Sequence, residues 1–423
     1  MLGVTVLIAA LPAILAGLRA PAPMAGVLAT SYAMTFGGLL MLGARLGDRL
    51  GPRRVLEAGL LAFAAASALA GAAPSVLVLV AARSLQGAAA AASVPAALRL
   101  LSTAVDDEPA RRRALAAWSA AGAAAGATGL LAGGLLTSLV GWRAVFWLNL
   151  PLAAALLLAV RRAVPSVRRT ASGPLDLLGA LLLTAGLMGL ILAGSLLEST
   201  RSRPWGGLLA ALGVALLAIF ARVQRTAPKP LLERASVRLP RLRAGASAAF
   251  VNTATTSSAI TLATLYLQDT RHLSSAVTGL MLLPFSLSVV LGAGAAGRWF
   301  GTRDPALTMA TGLGLIAAGD GALLLPGIDV LLPACAGLSG LGIGLSSVAA
   351  NTLGTDVPEE HRGAAAGILN TAAQLGTALG VSAAVLIAGA TARSGLPLRG
   401  APLSWALAAA LAAGAALIAL GRR

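Results

Sequence analysis

Long uncharged stretches alternate with short charged ones along the whole chain. Residues 25–44 carry no charge; a basic run, GARLGDRLGPRR at 43–54, closes that stretch; residues 56–74 are apolar again apart from Glu57. Fourteen stretches of this kind occur, at 2–18, 25–44, 56–74, 76–101, 114–139, 144–160, 175–196, 205–222, 244–267, 275–296, 306–325, 329–352, 363–390 and 402–420. A helix needs about 20 apolar residues to cross a hydrocarbon core of about 30 Å. The runs are continuous and do not alternate at period two, so they read as helices and not as barrel strands. The pattern predicts an all-α membrane protein with a lipid bilayer as its surroundings.

Charge placement tests the count. With residue 1 on the cytoplasmic side, twenty-three of the thirty-two basic residues fall in cytoplasmic loops. Seven fall outside: Arg19, Arg143, Arg201, Arg203, Arg271, Arg393 and Arg399. Arg83 and Arg99 remain within a span. Such a bias is the positive-inside rule, and one helix too many or too few would scramble it from that point on. The expected protein is multi-pass in the cell membrane with both ends cytoplasmic. The first span has a second reading, as the apolar region of a signal peptide with Ala20-Pro21-Ala22 as a cleavage-like site; it has no positive leader.

Composition agrees. The chain of 423 residues is 57% hydrophobic and 11% charged, where soluble proteins carry about 25% charged residues. Its 50 glycines suit closely packed membrane helices. The formal charge of +17 does not point to nucleic acid, because the basic residues sit in short loops without interleaved aromatics. A single cysteine, Cys335, excludes an internal disulfide, and His272 and His361 both fall in loops. No metal site, cofactor site or catalytic set can be assembled, so no enzyme is expected.

The run at 43–54 places Gly43 and Gly47 four apart on one helix face, where a neighbour can pack closely. Asp48 ends the helix, where it can accept from a neighbouring helix N-terminus or pair with an arginine. Gly51-Pro52 makes a turn, and Arg53 and Arg54 are expected at the anionic inner leaflet. GDRLGPR at 47–53 is echoed by GRWFGTR at 297–303, which suggests two bundles related by repetition with a helix pair between them.

These residues resemble the loop signature of the major facilitator superfamily, matched by Gly43, Gly47, Asp48, Arg49, Gly51, Arg53 and Arg54. RSLQGAAAA at 83–91, GWRAVFWLNLP at 141–151, LDLLGALLL at 175–183 and YLQ at 266–268 extend the likeness over nearly the whole chain, toward the fourteen-span drug:proton antiporters. The resemblance implies a six-helix bundle over 1–163, two extra helices and linkers over 164–239, and a second six-helix bundle over 240–423. It implies that Asp48 latches the bundles on the cytoplasmic side against the start of span thirteen, near Arg362 and Gly363. Two positions depart from the pattern. Gly3 and Ile8 stand where the family places an aspartate and an asparagine before Ala10-Leu11-Pro12. Leu130 stands where the antiporter signature has proline.

Arg83 lies inside span four. An arginine there cannot shed its proton and is costly in hydrocarbon, so it should face a wet cavity with a polar partner; the alternative is an arginine snorkelling to the outer surface. Gln86 and Gly87 complete the family pattern beside it. Gly122, Gly126, Gly129 and Gly133, with Gly134, form a seam for helix packing in span five. Asp320 is the only acid well inside a span, since Glu57 and Asp176 lie near cytoplasmic helix ends. It reads either as a coupling group or as a packing contact, given Gly319 and Gly321 on either side. Tyr32 is a further cavity candidate. Thr253, Ser257, Thr261, Thr264 and Gln268 in span nine, and Asn370, Gln374 and Thr377 in span thirteen, follow helical spacing; they line a substrate cavity or hydrogen-bond helices together.

The expected function is export of small amphipathic molecules, drug-like or antibiotic-like, by alternating access and proton antiport, in a monomer. A cavity with Arg83 and few acids should suit neutral or anionic compounds. An uncoupled facilitator and a non-transporting sensor or assembly protein that kept the fold are the alternatives.

Overall fold

A computed structural model of the chain describes residues 2–21, 24–103, 125, 129, 131–164, 176–197, 203–226, 239–299, 304–325, 328–357, 359–391 and 401–421. Among these it is helical throughout, without strands. The helices are α1 Leu2–Gly17, α2 Met24–Leu50, α3 Pro52–Gly71, α4 Val76–Thr103, α5 at 131–139, α6 Ala144–Trp147, α7 Asn149–Ala163, α8 Leu177–Leu197 and α9 Arg203–Thr226. They continue as α10 Pro240–Leu265, α11 Ser275–Met281, α12 Leu283–Trp299, α13 Pro305–Ala322, α14 Ile328–Thr355, α15 Glu359–Thr391 and α16 Ala401–Gly421. Eight helical segments are long and apolar enough to cross a membrane, and three shorter apolar ones occur in α1, α2 and α8.

Each predicted span has its helix, with three differences. The predicted fifth span is described at 125, 129 and from 131 onward. The sixth and tenth are each two helices, interrupted at Leu148 and Leu282. Pro151 and Pro284 explain the breaks. Each sits in the first turn after the interruption, where its missing N–H is harmless, and neither could donate to the carbonyl one turn back. The ninth continues past Leu265 into a π-turn, Tyr266–Thr270.

Local chemistry sets several boundaries. Gly51 takes φ 96°, which glycine adopts without strain, and Pro52 opens α3 with a pre-set φ. Asp304 caps α13, its side chain accepting from the Ala306 amide at 2.9 Å, with Pro305 as the first helical residue. Asp176 caps α8 by accepting from the Gly179 amide at 2.8 Å, and its other oxygen accepts from Gln224 of α9 at 2.5 Å.

Packing follows the small residues. α4 lies against both α2 and α3, and α14 against both α12 and α13. A side chain at Gly43 or Gly87 would overlap the carbonyls of Ala91 and Tyr32, so α2 and α4 meet backbone to backbone. Gly340 and Gly344 do the same for α14 against Phe285 and Val289 of α12. α10 packs on α15 through Gly376 and Gly380, and α8 and α9 pair with each other beside α2. The early and late helices join chiefly where α2 runs along α15. There Thr371 donates to the Gly37 carbonyl at 3.2 Å, Thr30 and Ser382 hydroxyls lie 3.4 Å apart, and Val27, Met34 and Ala378 fill the space between. Large apolar side chains on α7, α9 and α12, such as Leu156, Leu212 and Leu291, are exposed and form a lipid-facing surface.

Candidate functional site

α2, α3, α4 and α7 converge on one buried polar cluster. Arg83 of α4 is 1% exposed. Its Nη1 donates to Gln86 Oε1 at 2.9 Å, one turn along the same helix. Gln86 Nε2 donates to Ser67 Oγ of α3 at 2.7 Å, and Asn149 Nδ2 of α7 donates to the same oxygen at 3.3 Å. The Arg83 guanidinium carbon stands 4.8 Å over the Tyr32 ring, which stacks on Phe36. Among the described residues, Arg83 Nε and Nη2 have no hydrogen-bond partner.

Magnitudes explain why this arginine is tolerated. A central arginine costs about 2.5–3.5 kcal/mol on insertion scales. A hydrogen bond to a charged group contributes about 1.5–3 kcal/mol and a desolvated cation–π contact about 2 kcal/mol. Gln86 and Tyr32 therefore offset the cost, and two nitrogens are left with donors to spare. The snorkelling alternative is set aside, because the side chain is enclosed and not drawn to an outer surface. Ser67 and Asn149 were not identified from the sequence. Asn149 stands in a quoted motif, but a lone serine in FAAASALAG carries no signal that Gln86 faces it.

The motif loop is resolved in part. Gly43 presses on α4, a side chain at Gly47 would meet that of Ala96 at ordinary contact distance, and Gly51 makes the turn. The side chains of Asp48 and Arg362 lie outside the described residues, as do those of the echo at 297–303. Arg49 and Arg54 are exposed. Arg53 is partly exposed and also bonded within the protein. Its Nε donates to Glu57 at 3.0 Å and its Nη2 to the Arg161 carbonyl at 3.2 Å. Glu57 also pairs with Arg161 at 3.9 Å, so the acid braces α3 to α7.

Of the span-five seam, Gly122 and Gly126 lie outside the described residues, and Gly129 is buried. Gly133 meets the backbone of Val6 in α1 and Gly134 that of Ser275 in α11, so two adjacent glycines seat two different helices. Beside them the Ala276 amide donates to Ser138 at 3.1 Å.

The two polar stripes face each other. Thr253 donates to the Ala373 carbonyl at 2.6 Å, and Ser257 and Thr377 hydroxyls are 3.4 Å apart. Thr261 and Thr264 are fully buried and bond back to their own helix. Gln374 packs on Gly37 of α2, and Asn370 is half-buried. Gln268 donates to the Ala9 carbonyl at 3.0 Å and accepts from Ser275 at 3.1 Å. Ala9 lies next to the break in backbone bonding made by Pro12. At Thr253, Ser257, Thr377 and Gln268 the polar groups join helices. In the adjoining π-turn Asp269 is exposed; partial burial holds its carboxyl above the ordinary range, opposed by nearby His272.

Asp320 of α13 is fully buried. Ser339 Oγ of α14 donates to its Oδ1 at 2.8 Å, and Oδ2 has no partner. Gly319 beside it meets the backbone of Ser339 and Cys335. This contact repeats one in the first half. Ser67–Gln86 and Asp320–Ser339 are displaced along the chain by one constant interval. The same interval carries the Gly59 contact with Ala89 and Ser93 onto the Gly312 contact with Gly342 and Ser346. The helix pairs α3–α4 and α13–α14 are thus structural repeats, and Asp320 stands where the first half has Ser67.

Comparison with known proteins agrees with this architecture. Residues 1–232 and 245–422 match the sequence profile of the Major Facilitator Superfamily. The chain is 37% identical over 368 residues to the puromycin resistance protein pur8 of Streptomyces alboniger, covering 84% of this chain and 72% of that protein. It is 34% identical over 413 residues to the cephamycin export protein CmcT of Amycolatopsis lactamdurans, covering 93% and 83%. It is 30% identical over 382 residues to the multidrug efflux pump LfrA of Mycolicibacterium smegmatis, covering 89% and 76%. Among solved structures, the human organic anion transporter MFSD10 matches with TM-score 0.67 at 16% identity, over 99% of this chain and 95% of that one. The nucleoside transporter NupG matches with TM-score 0.65 at 12% identity, over 99% and 96%. At these identities the structural likeness speaks for the fold alone.

Proposed function

Because the chain belongs to the major facilitator superfamily, we propose that it exports small amphipathic molecules of the drug or antibiotic kind by alternating access, in exchange for protons. Relatives named for resistance to puromycin, export of cephamycin and multidrug efflux support the direction and substrate class. The observation that carries the reading within this chain is the enclosed Arg83 cluster. A fixed cation with two unpartnered nitrogens, walled by Tyr32 and Phe36, offers donors and an aromatic face to a neutral or anionic amphiphile and repels a cation. The proposed division is a first bundle to residue 163, an inserted pair to 239 and a second bundle from 240, working as a monomer with both termini cytoplasmic. Asp48 would then latch the bundles near Arg362 when the cytoplasmic side is closed.

Transport into inverted vesicles, with and without a pH gradient, tests this. The panel is puromycin, a cephamycin, lincomycin and the cationic dye ethidium. Gradient-driven uptake of neutral or anionic members is expected. Uptake of ethidium alone would overturn the substrate class. Gly3, where the family has an aspartate, favours one second reading, an uncoupled facilitator; flux unchanged when an ionophore collapses the gradient would establish it.

A further inference from the structure

The repeat of α3–α4 in α13–α14 puts an ionisable group where the first half has none. Asp320 has one hydrogen bond, from Ser339, and a second carboxyl oxygen that is buried and unpartnered. An ionised carboxylate accepts at about four sites, so a single donor leaves it poorly satisfied. Among the described residues, the elements packed on Asp320 supply no cation. α14 contributes the Cys335 thiol and, at its start, Asp329; α16 has no titratable residue; α10 has Arg241 and Arg243, both in its first turn at the opposite end. A carboxylic acid with its proton on Oδ2 fits the site, and an anion does not.

Position matters as much as burial. Asp320 lies two residues before the end of α13, near the predicted outer face. The turn that follows begins with Leu323, buried in one core with Leu332, Cys335, Ala336 and Trp405. Leu324 and Leu325 beyond it are exposed. Among the described residues, buried Leu323 therefore follows the acid before the chain reaches the exposed Leu324 and Leu325. Gly319 and the Ser339 backbone touch directly, so a small slide of α13 on α14 changes both the Leu323 packing and the Ser339 bond. Neither Arg83, which keeps its proton, nor Ser67, which has none to exchange at working pH, can act this way in the first half.

We propose that Asp320 carries the transported proton: Oδ2 takes it from a hydronium ion in outer water and releases it to water from the cytoplasmic side as the two halves change orientation. This rests on the antiport reading, and the test separates the two. The full chain is purified and placed in phosphatidylethanolamine–phosphatidylglycerol vesicles, with puromycin as probe. D320N is expected to lose gradient-driven uptake at least tenfold while puromycin counterflow, which needs no net proton movement, stays within twofold. Gradient-driven uptake within twofold of the natural chain overturns the proposal. If D320N does not fold, D320S, which installs the first half's residue, stands in with the same expectation. Infrared titration gives a readout independent of transport. The natural chain should show a protonated-carboxyl stretch that disappears in the variant, and the same band in both would overturn the assignment. A natural chain without gradient-driven uptake of any panel compound sinks the antiport reading itself and the proposal with it, whatever the infrared band shows.

Discussion

In the first half α3 and α4 meet at Ser67 and Gln86, with Arg83 one turn away; in the second, α13 and α14 meet at Asp320 and Ser339, and Ala336 occupies the place of Arg83. The backbones approach at the same points in both, at Gly59 and at Gly312. What differs is the charge. One pair encloses a permanent cation shared among Gln86, Tyr32 and, through Ser67, Asn149. The other encloses a carboxyl held by one hydroxyl. The comparison teaches that a repeat keeps where helices touch and leaves free what polar chemistry is placed there.

The largest way to break the comparison is to remove the cation. R83A should lower transport by about 100-fold, the loss expected for roughly 2.7 kcal/mol, in vesicle uptake. R83K should not rescue it, since a lysine cannot both bond Gln86 and lie flat on Tyr32. Full activity in R83K would show that charge alone suffices.

Next comes the shared acceptor. S67A strands the Gln86 and Asn149 amides, each at about 1–3 kcal/mol, and thermal unfolding in detergent should register the loss. S339A strands only Asp320 and should cost less; the reverse order would remove the asymmetry drawn above.

The glycines sharpen the comparison further. An added methyl in a packed seam costs about 1–3 kcal/mol. G312A meets the Gly342 carbonyl and the Ser346 backbone, whereas the nearest obstacle to G59A is the Ser93 hydroxyl, which can turn aside. G312A should therefore be the more destabilised in the same assay. The smallest effect belongs to the ion pairs at the helix ends. E57Q loses a half-buried link to two arginines, and D356N loses an exposed pair with Arg241. Surface pairs contribute about 0–1 kcal/mol, so E57Q should exceed D356N by a few tenths and both should vanish at high salt.

Much of this was legible from residue order. Apolar run length located the spans within a few residues, the fifth excepted, whose start lies outside the described residues, and Gly51-Pro52 announced the turn that φ 96° confirms. Arg83 was found because it is charged within an apolar run, and Gln86 through the family pattern beside it. Their partners were not: Ser67 and Asn149 come from other helices, and nothing local states that they converge. The span-nine stripe shows the same limit. Thr253 and Ser257 read equally as cavity or seam until Ala373 and Thr377 of α15 were seen against them.

Run length, glycine content and the placement of charge between apolar runs indicated by themselves that this chain is a helical membrane protein. These are one-dimensional quantities, set by the thickness of hydrocarbon and the cost of charge within it. Tertiary structure alone decided that Asp320 answers to Ser67, that Glu57 reaches Arg161, and that Ser67 and Asn149 close on Gln86. Each of these depends on which helix faces which, and close packing fixes that through backbone contacts that leave no trace in the order of neighbouring residues.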